Sequence, residues 1–345
     1  VPIKVFGADS LPADADSNPN AFEALNSDQL GANGFNGSVN GRIGGQAEFF
    51  DIDSFADQND VVAVGGSFRG KLTFPSETDI VLVNTKAANR DEIYTAPHFN
   101  NAALNGFVAK VDMNTGKALW ATDAGLTVPE GNRYYSRDIA TTKAGHVIHS
   151  FDERAYVGKT RFYQGQLTKY AGADGTKVWE AEYESVYSMN SVDGDSTEEV
   201  VYVTGILKGT DVDPFGTGTA LTSTNGDAVV AALDVSGSTG PAAQWVLQVG
   251  RGSGYTVEEQ GEYLIVAGSL DVEVKADTTI GTCSLTGSLG GFLIKLNKAD
   301  GTCVWAKDTP TGRGAVTDGT SVWTFGTESG RVQFDADTEV WASDE

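Results

Sequence analysis

The stretch GFVAKVDMNTGKALW, residues 106–120, decides the fold of this chain. It begins with an alternating run, continues through Asp, Asn and Gly, and returns in a second run that ends at Trp120. Residues such as Asn and Gly readily adopt the positive φ that a tight turn needs. The stretch therefore predicts a β-hairpin.

The same hairpin pattern recurs along the chain. Residues 165–179 are GQLTKYAGADGTKVW, residues 291–305 are GFLIKLNKADGTCVW, a looser copy spans 228–245, and RVQFDADTEVW at 331–341 is a shortened copy. Each copy ends in a tryptophan, and successive tryptophans lie 59, 66, 60 and 36 residues apart: Trp120, Trp179, Trp245, Trp305 and Trp341. Repetition at this period, with strand-sized runs, is typical of a β-propeller.

A second apolar strand precedes each hairpin, and weaker candidates for a first strand precede some of those. The second strands are 61–68, 147–151, 200–205, 263–269 and 321–326; the first strands are 136–142, 255–259 and a segment within 37–51. We therefore predict an all-β propeller of about five four-stranded blades, or six or seven if the chain is a fragment. It forms one domain, 1–345, in which an irregular segment, 1–45, helps to close the propeller and residues 3–6 pair with the last blade.

The five repeated tryptophans are predicted to be core residues. An indole ring is large enough to fill the wedge between neighbouring blades, and its N–H can reach a backbone carbonyl there.

Two segments carry a resemblance to known propeller families. Residues 66–74 followed by 106–120 look like the bacterial-type β-propeller repeat of extracellular and cell-surface proteins, and residues 111–120 and 174–179 are similar to the tryptophan-docking motif of quinoprotein-like propellers. Together they cover most of 60–345. The resemblance implies an extracellular or cell-surface location. Quinoprotein dehydrogenases also have adjacent cysteines, which this chain lacks, so we predict no organic cofactor.

Charge narrows the range of partners. The chain has 47 acidic and 24 basic residues, a formal net charge of −23, and such a surface repels phosphate backbones and anionic headgroups. Its apolar runs are strand-sized, far below the roughly 20 residues that span a bilayer. We predict neither a nucleic-acid partner nor a membrane span. The chain begins at Val1 rather than Met, which suggests a processed product or an excised segment.

The sequence has candidates for two covalent modifications, a disulfide bond and a glycosylated asparagine. Cys283 and Cys303 are the only cysteines and favour one disulfide within a blade, although two buried thiols would give the same sequence. Asn36, in Asn-Gly-Ser, heads the only glycosylation sequon.

Calcium is the predicted ligand of two acidic runs, within 51–60 and 193–199, because hard cations take six to eight oxygen ligands. Solvated acidic loops are the alternative interpretation of both runs. The candidate ligands are Asp51, Asp53, Asp57, Asp60, Asp193, Asp195, Glu198 and Glu199.

Long loops at 75–105, 209–226 and 272–288 are the predicted binding surface. They are rich in Thr, Ser, Asn and Gly, which can hydrogen-bond to a protein or a glycan, and loops of this length are usually functional. We predict a binding, adhesion or structural module, calcium-stabilised, within a larger extracellular assembly, and not an enzyme.

The alternative is a glycoside-active enzyme. Five-bladed propellers host glycosidases that use paired carboxylates at one end of the first strands. The candidates are Asp138, Glu258, Glu259 and Asp318. The three histidines, His98, His146 and His149, lack the sequence context of a catalytic base. His146 and His149 are predicted to be surface and packing residues rather than a metal pair.

Overall fold

The computed structural model describes most of the chain from residue 46 onward. The described residues are 46–69, 71–83, 105–124, 133–157, 160–271, 278–286, 290–309, 314–317, 322–325, 330–333 and 339–342. All of them lie in strands, turns or short connections, which confirms that the chain is all-β. The successive antiparallel repeats described below confirm the propeller-type fold class. No helix that could cross a membrane occurs among these residues.

The chain divides into two compact units. The first comprises Val1–Ser54 and Gln58–Ser136, and the second comprises Phe55–Asp57 and Arg137–Glu345.

The first unit contains one four-stranded sheet and an inserted hairpin. The strands are β1 (Gln46–Phe55), β2 (Gln58–Arg69), β3 (Lys71–Phe74), β4 (Ile80–Val83), β5 (Asn105–Asp112) and β6 (Lys117–Asp123). The sheet has the order β1-β2-β5-β6, and β3 pairs with β4. Phe74 and Phe107 lie in one buried cluster with Phe68, so the hairpin packs its apolar face on the sheet.

The next four strands form a second sheet that follows the chain without a crossover. They are β7 (Arg133–Thr141), β8 (Val147–Val157), β9 (Thr160–Tyr170) and β10 (Lys177–Tyr183). The predicted first strand, second strand and tryptophan-ended hairpin of this repeat are confirmed.

Two further repeats share one seven-stranded sheet. Its strands are β11 (Val186–Gly194), β12 (Val200–Val212), β13 (Leu221–Asp234), β14 (Ala242–Gln260), β15 (Tyr263–Leu270), β18 (Gly291–Asn297) and β19 (Cys303–Thr309). A small hairpin of β16 (Thr278–Ile280) and β17 (Cys283–Leu285) is inserted before β18.

The long strand β14 joins these two repeats. Its residues up to Arg251 pair with β13, and its residues from Gly252 onward pair with β15. Glycine is required at 252, because its φ is +153° and a Cβ there would lie 1.9 Å from the carbonyl oxygen of Ser269. The sequence predicted two separate strands here, and the structure has one that ends one repeat and begins the next.

The last repeat consists of two hairpins: β20 (Gly314–Thr317) with β21 (Val322–Phe325), and β22 (Gly330–Gln333) with β23 (Glu339–Ala342). The predicted second strand and hairpin of this repeat are present, and they are preceded by β20, a strand that the sequence did not predict. The number of blades and the closure of the propeller remain predictions. Residues 1–45, including Asn36 and the predicted pairing of residues 3–6, lie outside the described residues.

The predicted loops contain more regular structure than expected. Residues 71–83 form the β3–β4 hairpin, β12 and β13 extend into the 209–226 loop, and the 272–288 loop contains β16 and β17. Cys283 of β17 and Cys303 of β19 form the disulfide, with a Cα–Cα distance of 6.0 Å. The bond ties the inserted hairpin to the sheet.

Candidate functional site

Two of the repeated tryptophans are hydrogen-bonded to the following repeat. The indole N–H of Trp179 donates to the carbonyl oxygen of Gly237 at 3.1 Å, and that of Trp245 donates to Lys298 at 2.9 Å. Trp120 is buried like Trp179, whereas Trp305 is half-buried. The structure does not describe the side chain of Trp341. The tryptophans that form these bonds are packing residues.

The acidic run at 193–199 is held by protein groups. Both oxygens of Asp195 are engaged: Oδ1 accepts from Thr197 and the amide of Glu198, and Oδ2 accepts from the Tyr202 hydroxyl at 2.7 Å and pairs with Lys298 at 3.0 Å. Burial by itself would raise the pKa of Asp195, but these hydrogen bonds and Lys298 outweigh it and hold the pKa at about 2.

The other carboxylates of this run have different environments. Asp193 accepts a 2.5 Å hydrogen bond from the amide of Glu259, and Glu199 accepts one of the same length from the amide of Ala144. Glu198 is exposed. The run thus places three of its carboxylates, those of Asp193, Asp195 and Glu199, on separate protein donors.

The first acidic run lies on and between β1 and β2. Asp51 and Asp53 are partly exposed on β1, Asp57 is exposed in the turn, and Asp60 is exposed on β2. Among the described residues, no group of three or more His, Cys, Asp or Glu side chains is arranged to hold a metal ion. Calcium at either run stays a prediction.

Polar side chains of the first strands bind amides of the next first strand. Asp138 of β7 accepts from the amide of Val192 in β11 at 3.0 Å, and Ser191 of β11 accepts from Val257 in β14 at 3.4 Å. These strands are not neighbours in any sheet, so the side chains satisfy amides that would otherwise lack a strand partner. Sequence reasoning missed this role, whose only signal was a polar residue within each first strand.

The buried carboxylate of Asp152, on β8, also binds the first strand of the next repeat. Asp152 accepts from the hydroxyl of Ser188 at 2.8 Å and the amide of Met189 at 2.9 Å, and it pairs with Arg137 at 2.5 Å.

The carboxylates proposed for glycoside hydrolysis are engaged in such contacts. Asp138 binds the Val192 amide, and Glu259 pairs with Lys298 at 3.1 Å. Glu258 is half-buried and has contacts of its own, and Asp318 lies outside the described residues.

The described histidines pack within the second repeat. Burial lowers the pKa of His149 well below its usual value, and its ring centre lies 3.7 Å from that of Phe151 in a tilted arrangement. Burial is also the main cause that lowers the pKa of half-buried His146. His98 lies outside the described residues.

A cleft of about 400 Å³ opens in the second unit where strands β11 to β15 border the predicted long loops. It lies beside the 209–226 loop and the start of the 272–288 loop. Its lining residues are Tyr187, Ile206, Lys208, Asn225, Gly226, Arg251, Gly252, Ser253, Ser269, Leu270 and Asp271. The sequence predicted the loops but not the strand residues that line the cleft.

Charged and aromatic side chains give the cleft its chemistry. The Lys208 ammonium lies 5.6 Å from the centre of the Tyr187 ring, within cation–π range. Arg251 pairs with Asp271 at 2.7 Å, and both side chains are about one-third exposed, at 34% and 31%. The cleft therefore offers hydrogen-bond donors, one aromatic ring and a positive charge in excess.

The comparisons with known proteins are sparse. No family model matches the chain, and no curated protein matches it. It is similar to solved structures of Sqt1 from Chaetomium thermophilum. One, bound to the N-terminus of the ribosomal protein L10, has a TM-score of 0.38 and 13% identity over 79% of this chain and 67% of that chain. A second Sqt1 structure has a TM-score of 0.38 and 13% identity over 80% and 68%.

The prediction of an extracellular or cell-surface location is wrong by this comparison, because Sqt1 is seen bound to a ribosomal protein. The comparison likewise gives no support to the bacterial extracellular repeat family. The prediction that the chain is not an enzyme agrees with these neighbours.

Proposed function

We propose that this chain is a propeller-type protein-binding module that holds a segment of its partner in the cleft of the second unit. One observation carries the proposal: five strands converge on an open, polar cleft beside the predicted binding loops. Sites that bind ligands are typically concave and lined by a few convergent polar groups.

The walls of the cleft are anchored in the sheet. Asp271 donates its amide to the carbonyl of Arg251 at 3.0 Å, and Lys208 donates its amide to Ser185 at 2.8 Å. A surface held in this way loses little conformational entropy on binding, which favours affinity.

The cleft favours a protein segment over a glycan. Glycan sites commonly use an open aromatic face, whereas the ammonium of Lys208 lies over the Tyr187 ring. Sqt1 is seen bound to the N-terminus of a ribosomal protein, and the present proposal rests on the cleft alone. We also propose that the chain is related to the tryptophan-docking propellers. The hydrogen bonds of the Trp179 and Trp245 indoles support this relationship.

Selection from random peptides displayed on phage tests this function. We expect the wild-type protein to enrich a family of peptides, and synthetic copies to bind with at least about tenfold lower affinity to Asn225→Trp, which fills the cleft. Thr224→Trp is the matched control, since this neighbouring exposed residue does not line the cleft. Failure to enrich any peptide, or equal binding by both variants, would overturn the proposal.

Calcium binding at one of the acidic runs is a further part of the proposal. Thermal melting with calcium and with a chelator tests it: a higher melting temperature with calcium supports a structural ion at one of the acidic runs. Identical melting temperatures would contradict it.

A further inference from the structure

We infer that the cleft recognises an acidic segment of the partner protein and that Lys208 and Arg251 hold its carboxylate. This inference rests on the proposed function and names the chemistry of the partner.

The charge of the cleft is opposite to that of the chain. The whole chain has a formal net charge of −23, yet the cleft contains two cations, Lys208 and Arg251, and one carboxylate, Asp271. Because salt screens charges beyond roughly 10 Å at moderate ionic strength, a group inside the cleft responds mainly to nearby charges. Asp227, the cross-strand partner of Arg251, is also near, but it does not line the cleft and its carboxylate accepts a hydrogen bond from Gln248. The residues that line the cleft therefore have one positive charge in excess, which an anion with a single charge would neutralise.

Lys208 presents its ammonium to solvent. Its side chain is exposed, and within the described part of the chain it makes no ion pair. Its position over the Tyr187 ring limits the directions that the ammonium can take. An ammonium has three donors, and the ring leaves some of them for a carboxylate.

Arg251 is oriented by its own ion pair. Its Nη2 donates to Asp271 Oδ2 at 2.7 Å, which leaves further N–H groups of the guanidinium for a second acceptor. A planar guanidinium binds carboxylates through paired hydrogen bonds. Asp271 both fixes the position of Arg251 and removes part of the positive charge.

Asp271 also decides which anion fits best. A single carboxylate neutralises the one excess positive charge of the lining, whereas a phosphate dianion would leave an uncompensated negative charge beside Asp271 on an already acidic chain. Nucleic acid is further disfavoured by the acidic surface. An Asp or Glu side chain, with neighbouring residues against Ile206 and Leu270, matches the lining.

Two pooled phage libraries test the inference. They are identical except that alternate positions encode Asp and Glu in one and Asn and Gln in the other. We expect the wild-type protein to enrich the acidic pool about tenfold over the neutral pool, and Lys208→Gln and Arg251→Gln to lose this preference. Lys307→Gln is the control, because Lys307 is exposed and lies outside the cleft; it should retain the preference.

Two more variants test how the charge of the cleft determines its preference for acidic peptides. Asp271→Asn should strengthen binding of a synthetic acidic peptide from the selection, because it removes a competing carboxylate. Lys208→Glu should shift the preference to a pool that encodes Lys and Arg.

The outcomes separate the two proposals. Equal enrichment of both pools, with binding still blocked by Asn225→Trp, overturns the acidic partner and leaves the binding cleft intact. Loss of the preference in Lys307→Gln would show a general charge effect and also overturn it. No binding from either pool overturns both proposals.

Discussion

The indole N–H of Trp245 donates a 2.9 Å hydrogen bond to the backbone carbonyl of Lys298, a residue in the next repeat. The ammonium of the same lysine lies 3.0 Å from Asp195 and 3.1 Å from Glu259. Lys298 therefore joins the third repeat to the fourth through both its backbone and its side chain. Trp179 makes the corresponding bond to Gly237 one repeat earlier.

The tryptophan hydrogen bond predicts the behaviour of Trp245→Phe. This variant keeps an aromatic ring but leaves the carbonyl of Lys298 without its donor, so we expect the free energy of unfolding to fall by about 1–2 kcal/mol. Trp245→Ala also loses packing against Tyr202 and should fall by about 3–5 kcal/mol. Urea unfolding measures both, and a Phe variant as stable as the wild type would count against the hydrogen bond.

Lys298→Met should be strongly destabilising. It leaves Asp195 and Glu259, whose side chains are 1% and 13% exposed, without their counter-charge. Breaking a buried ion pair in this way lowers the free energy of unfolding by about 3–5 kcal/mol.

Lys177→Met is the matched control for that variant. Lys177 pairs with Glu180 at 2.8 Å, but its side chain is 42% exposed, so its removal should change the free energy of unfolding by no more than about 1 kcal/mol. If the two variants unfold at the same urea concentration, the Lys298 pairs make no special contribution.

The low pKa of Asp195 predicts a pH-dependent stability. The folded pKa of about 2 lies below the usual value of 3.8, so the carboxylate stabilises the fold above pH 4 and loses this contribution as pH falls towards 2. The contribution at neutral pH is on the order of 2 kcal/mol. Asp195→Asn should therefore be less stable than the wild type at pH 7, and the difference should shrink between pH 4 and pH 2. A difference that stays constant over this range would refute the assignment.

The disulfide predicts a local loss of order. Replacing Cys283 and Cys303 together by alanine removes the constraint on a loop of about 20 residues, which lowers the free energy of unfolding by about 3 kcal/mol in the chain-entropy model. Because the bond ties the β16–β17 hairpin to β19, limited proteolysis should cut first near that hairpin. If the protease cuts the variant elsewhere first, and cuts the hairpin no faster than in the wild type, the bond does not have this anchoring role.

Close approach of two first strands predicts the effect of Gly194→Ala. A Cβ at Gly194 would lie 2.0 Å from the carbonyl oxygen of Thr141, so the strands must move apart, which we expect to destabilise the fold by about 3 kcal/mol. Gly116→Ala is the comparison: its φ is +68° but no atom lies within 4 Å, and the expected loss is about 1–2 kcal/mol. Thermal melts that rank the two variants in the opposite order would contradict the predicted clash.

The sequence by itself determined the repeats, their hairpins and the cysteine pair. A strand alternates with a period of two residues, and a turn depends on a few adjacent residues, so residues 106–120 and their copies contained this information locally. Because the copies share a register, the positions of Trp179 and Trp245 within their repeats followed as well. The cysteines could be paired because the chain has only two.

Only the tertiary structure decided which distant groups meet. Asp195 was predicted to be a calcium ligand in its acidic run, but its Oδ2 is bound by Tyr202 and, from another repeat, by Lys298. The cleft combines Lys208 of β12 with Arg251 of β14 and with Asp271, which follows β15. Such contacts depend on how twisted strands approach across the sheet, and no local pattern encodes that distance. The charge of the cleft, opposite to that of the whole chain, therefore became visible only after folding.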